Sequence, residues 1–132
     1  MIEKLDIKTS QPSQMLDITA QIQQIVTSSK VKSGVCCIYS PHTTAAVTVN
    51  ENADPSVQED ILNHLSKSVP HKADYLHAEG NSDSHIKTAL IGPSTNLIIA
   101  DGKILLGTWQ GVFLCEFDGP RKRSVWVKIV KE

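Results

Sequence analysis

The chain lacks an excess of either charge. Its 13 Lys and Arg stand against 14 Asp and Glu, for a net charge of −1 and an isoelectric point near 6.5. That balance removes the global electrostatic drive toward nucleic acid or an anionic membrane surface. No apolar run approaches the roughly 20 residues of a membrane-spanning helix. The first residues carry Glu3, Lys4 and Asp6 where a secretory leader would be apolar. The expectation is a cytoplasmic protein whose partner is a small molecule or another protein, with no nucleic acid and no membrane. Cysteine is scarce and odd in number, three in all. The adjacent Cys36 and Cys37 would point to opposite faces of a strand, which rules out a simple local clamp. Cys115 falls in the apolar alternation from Val112 to Phe117 and reads as a core filler. Internal repeats, low-complexity tracts and linkers are also missing, so residues 1–132 read as one domain. A chain of this length buries roughly two thirds of its unfolded surface without disulfides or a structural metal.

Chemically competent groups concentrate instead in one window, His77-Ala-Glu-Gly-Asn-Ser-Asp-Ser-His85. Gly80 to Asp83 reads as a tight turn feeding a short helix, with Ile86, Ala89 and Leu90 on one face and Gly92-Pro93 as the stop. Asn81 or Ser82 is the expected N-cap. Free backbone N–H groups and the positive dipole end would then lie beside His77, Asn81, Ser82 and His85, a setting that suits phosphate. The alternative is a capped turn with two exposed histidines.

Along the rest of the chain, residues 2–9 alternate irregularly and are expected to form an edge strand. From Asp17, a plausible N-cap, the stripe Ile18, Ile22, Ile25 and Val26 has helical period, and Lys30 to Gly34 ends it. Val35–Tyr39 and Ala45–Val49 are strand-like, separated by Ser40 to Thr44, where Pro41 interrupts the ladder and leaves His42 at a kink. Asp54-Pro55 opens a second helix with the stripe Val57, Ile61, Leu62 and Leu65. His64 and His71 read as solvent-facing or locally paired. Asn96–Ala100 and Lys103–Leu106 flank Asp101-Gly102, a two-residue hairpin signal. Val112–Phe117 and Val125–Val130 supply two more strands, and the C-terminal half is expected to be an antiparallel meander.

Three side constellations carry further chemistry. Trp109-Gln110, between Gly107 and Gly111, sets a flat apolar face beside an amide and can stack on a heteroaromatic ring or simply cover the core. Arg121, Lys122 and Arg123 form a basic cluster that can bind phosphate, anchor a subunit or stay solvated. Of the carboxylates Glu51, Asp54, Glu79, Glu116 and Asp118, Glu116 interrupts an apolar strand, where an acid needs a partner or a job. The loop histidines His42, His77 and His85 suit zinc; magnesium would prefer oxygen ligands.

Taken in order, His42-Thr-Thr-Ala-Ala46, Asn50-Glu51 with Asp54-Pro55, His77 with Glu79-Gly-Asn-Ser82, Ser84-His85-Ile86, Gly107-Thr-Trp-Gln110 and Glu116-Phe-Asp-Gly-Pro-Arg121 resemble the YjbQ family. The resemblance spans residues 35 to 130, and the Cys36-Cys37 pair is not part of the pattern. It implies an α+β domain, mainly antiparallel β, with a barrel-like or sandwich sheet and two to three short helices, assembled as a homotrimer. It also implies a thiamine-phosphate synthase-like transferase activity, as a secondary activity, that joins a pyrimidine diphosphate to a thiazole phosphate and releases pyrophosphate. On that reading Glu51, Glu116 and His85 are catalytic. Thr43, Thr44, Asn81, Ser82, Trp109, Gln110 and Arg121 bind substrate or phosphate. His42, His77 and His85 hold a divalent metal, zinc or magnesium, with no organic cofactor. A non-catalytic trimer that binds metal or a phosphorylated ligand, and a metal-dependent hydrolase, are the alternatives.

Overall fold

The computed structural model describes residues 2 to 132. In chain order it contains β1 (Ile2–Lys8), β2 (Gln14–Asp17), α1 (Thr19–Ser29), β3 (Gly34–Tyr39), β4 (Ala45–Glu51), α2 (Pro55–Ser68), α3 (Ser82–Ile91), β5 (Ser94–Ala100), β6 (Lys103–Ile104), β7 (Gln110–Glu116) and β8 (Lys122–Lys131). The fold is α+β with antiparallel pairing, and one of its two sheets is a half-barrel. The larger sheet runs β1-β8-β3-β5-β6 and the smaller β2-β7-β4. β1 is an edge strand, as its irregular alternation predicts.

The expected C-terminal meander is not what forms. β5 and β6 do make a hairpin, with Asp101 at φ 52° and Gly102 at φ 76°, the left-handed pair that an Asp-Gly turn favours. β7 then leaves for the smaller sheet, between β2 and β4, and β8 returns to the larger one, between β1 and β3. Burial accounts for the departure. Residues Gly111 to Glu116 of β7 are buried without interruption, because both faces of this central strand are covered.

The main core lies between the sheets. Ile18, Ile22 and Val26 at and along α1 pack with Cys36 and Ile38 of β3, Leu97 and Ile99 of β5, Val125 and Val127 of β8, and Ala45, Val47, Val112 and Leu114 of the smaller sheet. A second cluster, Met15, Ala46, Phe113, Cys115 and Phe117, covers the other face of that smaller sheet, under Ile61, Leu62 and Leu65 of α2. Asp54 caps α2 by accepting from the Ser56 N–H at 3.0 Å, with Pro55 at the first helical position. Asp17 sits one residue before the N-cap of α1, Ile18, yet accepts from both the N–H and the hydroxyl of Thr19. The short strand β2 has no clear sequence signature, since only Met15 of its four residues is buried.

α3 inverts the expected pattern. Ile86 is 40% exposed and Leu90 63%, whereas Asp83, Ser84, Lys87 and Thr88 are buried. A periodicity argument assumes that the apolar arc faces inward, and here the polar arc does.

Candidate functional site

The turn from β7 into β8 anchors most of the site. Glu116 is fully buried and its carboxylate is completely engaged. One oxygen accepts from the Thr9 hydroxyl and from Arg123 Nε, both at 2.8 Å; the other accepts from Arg123 Nη2 and from the Asp118 N–H at 3.0 Å. Arg123 Nη2 also donates to the Thr44 hydroxyl at 2.8 Å. Burial pushes the Glu116 carboxyl up, but the hydrogen bonds from Arg123, Asp118 and Thr9 outweigh it and hold the group below its ordinary 4.5. This is the partner that an acid in an apolar strand requires. It also means that Glu116 ties strands together and has no free lone pair for proton transfer, and that Thr44 is likewise committed.

Asp118 extends the network outward. It accepts from Asn81 Nδ2 at 2.9 Å and from Arg121 Nη2 at 3.0 Å, while Arg121 Nε donates to the Asp118 carbonyl at 2.8 Å. Gly119 is required here because a Cβ would stand 2.3 Å from the Gln11 carbonyl oxygen. His42 joins from the β3–β4 loop. Its Nε2 accepts from the Ser124 N–H at 2.9 Å, which fixes the neutral ring. Burial, then the positive charge of Arg123, hold its pKa below the ordinary 6.5. Thr43, beside it, is exposed.

Asn81 is the N-cap of α3, yet its side chain makes no capping hydrogen bond because it is turned to Asp118. Its Oδ1 is buried without a partner. Ser82, the alternative candidate for the N-cap, is the first helical residue. At the same turn the rings of His77 and His85 meet edge to face, with centroids 5.3 Å apart and planes at 84°. His77 Nε2 lies 3.8 Å from Glu79 Oε2, too far for a hydrogen bond. Among the described residues no three His, Cys, Asp or Glu side chains gather as a metal cage. Within one chain, then, His77 and His85 are together and His42 is held separately.

The remaining candidates lie elsewhere. β4 and β7 pair with Ala45 opposite Glu116 at one end and Glu51 opposite Gln110 at the other. Six residues of strand separate the two ends, roughly 20 Å. Glu51, Trp109 and Gln110 therefore form a second group that does not meet the histidines within a chain. Gln110 Oε1 accepts from the Gly107 N–H at 2.8 Å and closes its own turn. Trp109 is 62% exposed with an open face. Sequence reasoning missed Asp83 and Lys87. Their side chains are buried and paired at 3.2 Å, and Asp83 also accepts from His71 Nδ1 at 3.1 Å. The i, i+4 spacing of Asp83 and Lys87 was the available signal. The three cysteines are free thiols, and burial raises Cys36 to about 11 and Cys115 to about 12.

A profile described as UPF0047 protein YjbQ-like matches residues 3–132. The UPF0047 protein MJ1081 of Methanocaldococcus jannaschii is 55% identical over 130 residues, covering 98% of this chain and 94% of that one. The UPF0047 protein YugU of Bacillus subtilis is 42% identical over 132 residues, covering 98% and 99%. A crystal structure of a YjbQ/UPF0047 protein from Clostridium acetobutylicum superposes with a TM-score of 0.96 at 50% identity, covering 97% of this chain and 99% of that one. A YbjQ-like protein from Sulfolobus solfataricus gives 0.96 at 32% identity, covering 100% and 97%, and is described as of unknown function. These relatives bear only the family designation, so the expected thiamine-phosphate synthase activity is corrected: membership does not bring it. By a match over nearly its whole length, the chain belongs to the YjbQ (UPF0047) family.

Proposed function

We propose that the start of α3 binds a divalent metal through His77 and His85 and, with it, a small phosphate-bearing molecule. Two imidazoles paired at the turn that also holds the partnerless Asn81 Oδ1 support this reading. Two imidazoles bonded to one tetrahedral zinc at about 2.1 Å place their centroids roughly 5 Å apart, against 5.3 Å here. Two ligands leave such an ion open. The partnerless Asn81 Oδ1 at the same turn is one further oxygen, and the oxygens of a phosphate are others. Arg121, half exposed, keeps guanidinium N–H groups beyond the two that hold Asp118 and can donate to the anion.

Assembly into a homotrimer belongs to the same proposal. The outer face of the larger sheet exposes Val35, flanked by Ile98 and Val130, and Tyr39 opposite Trp126. An apolar sheet face of this kind favours a protein neighbour. Strand length keeps Trp109 of the same chain from the histidine pair, so a second copy is what would bring a Trp109 there.

Calorimetric titration with zinc, then with pyrophosphate, tests the reading. Zinc should bind stoichiometrically, and pyrophosphate should bind more tightly to the zinc-loaded protein. His85→Ala should cost at least about a hundredfold in metal affinity, the upper range for disturbing a metal's outer shell alone. Zinc affinity unchanged in a His77→Ala/His85→Ala double variant would overturn it.

A further inference from the structure

Helix α2 stands off the sheet it covers. None of its residues is fully buried, although the sheet residues beneath it, Ala46, Phe113 and Cys115, are 2% exposed or less. The gap is a recess of about 130 Å³, lined by Met15, Ile61, Leu62, Leu65, Ile91 and Cys115, with Thr48 and Asn50 among its remaining walls. An apolar cavity of roughly 150 Å³ takes up benzene. Here the recess opens at exposed Asn50, and Met15, Ile61, Leu62, Leu65, Ile91, Cys115 and Phe117 make the rest of its walls, Thr48 apart, apolar.

We propose that this recess is a binding site for a single aromatic ring carrying one hydrogen-bonding substituent, a molecule the size of phenol. The volume sets the ring and the β4 side chains set the substituent. Thr48 and Asn50 follow each other at i, i+2 and so share the face of β4 that α2 covers. Asn50 Oδ1 already accepts from the Glu51 N–H at 2.7 Å, which leaves its amide N–H₂ to donate. The Thr48 hydroxyl can donate or accept. A phenol oxygen would satisfy them while its ring fills the space against Leu62, Leu65 and Cys115.

Entry needs no unfolding. Ile61, Leu62 and Leu65 are only partly buried, so the ligand adds contacts that the helix lacks, and Met15 is a flexible wall that adapts to ring shape. Cys115 contributes bulk and no reactivity, since burial raises its thiol to about 12. This site is separate from the metal and phosphate site at the start of α3 and stands or falls independently of it.

Methyl NMR of the full chain labelled at isoleucine and methionine, titrated with phenol and with benzene, provides the test. Both should give saturable shifts at Ile61, Ile91 and Met15, with melting temperature raised in step, and phenol should bind about two- to tenfold more tightly, the scale of one net hydrogen bond. Thr48→Val should reduce that preference and keep benzene binding. Leu65→Phe, on a partly exposed position where the fold tolerates it, should fill the recess and abolish both. Absence of saturable shifts at these methyls, or shifts that persist unchanged in a folded Leu65→Phe variant, would overturn the proposal.

Discussion

At Glu116 and Arg123 two charges are removed from water, and every lone pair and most donors are engaged. Breaking such a pair from one side strands the other charge in a low-dielectric interior. Arg123→Met should therefore destabilise the chain by about 3–5 kcal/mol, and adding Glu116→Gln should recover part of that loss, as a double-mutant cycle by urea denaturation would show. His42 gives the corresponding pH dependence. Its folded pKa lies below 6.5, so the unfolded chain takes up a proton first on acidification. The stability contributed by the neutral ring is complete above pH 6.5 and is lost as pH falls below that value toward the folded pKa. Denaturation midpoints between pH 7.5 and 5 should fall less steeply in His42→Gln than in wild type. An equal slope would remove His42 from the account.

Among the elements, α3 departs furthest from what its sequence pattern suggests. The apolar residues Ile86 and Leu90 face outward, and Asp83 and Lys87 are paired inside beneath His71. Hydrophobicity alone ranks Leu90 as the position to protect, whereas the structure reverses the order. Leu90→Ser should change the stability of the chain by no more than about 0.5 kcal/mol, as for an exposed position. Lys87→Met, which leaves a buried carboxylate with only His71, should cost about 3 kcal/mol or more. Chemical denaturation of the two variants decides between the rankings. The turn of the β5–β6 hairpin, by contrast, was legible, because Asp-Gly between two apolar runs specifies the turn type, although β6 stops at Ile104, two residues short of the expected Leu106.

For the whole molecule, the α+β class came with the family resemblance, whereas the edge strand and the capped start of α2 could be read from local pattern, since each depends on neighbours a few residues away. The exchange of β7 and β8 between sheets could not. Alternation marks a strand without naming its partner, and β7 is buried on both faces. The candidate site divides along the same line. His77 and His85 sit close in sequence and do meet, as do Glu116, Asp118 and Arg123, but Thr9, which also holds Glu116, comes from the far end of the chain. Likewise, the separation of Glu51 and Trp109 from the histidines follows only from strand register. The metal proposed at the start of α3 is the claim on which the functional reading depends, and zinc K-edge X-ray absorption of the loaded protein addresses it directly. The account predicts two imidazole nitrogens near 2.0–2.1 Å with oxygen completing the shell, and loss of that signature in His77→Ala/His85→Ala. A sulfur shell near 2.3 Å, which the half-exposed Cys37 would supply, or a nitrogen shell that survives the double substitution, would contradict it.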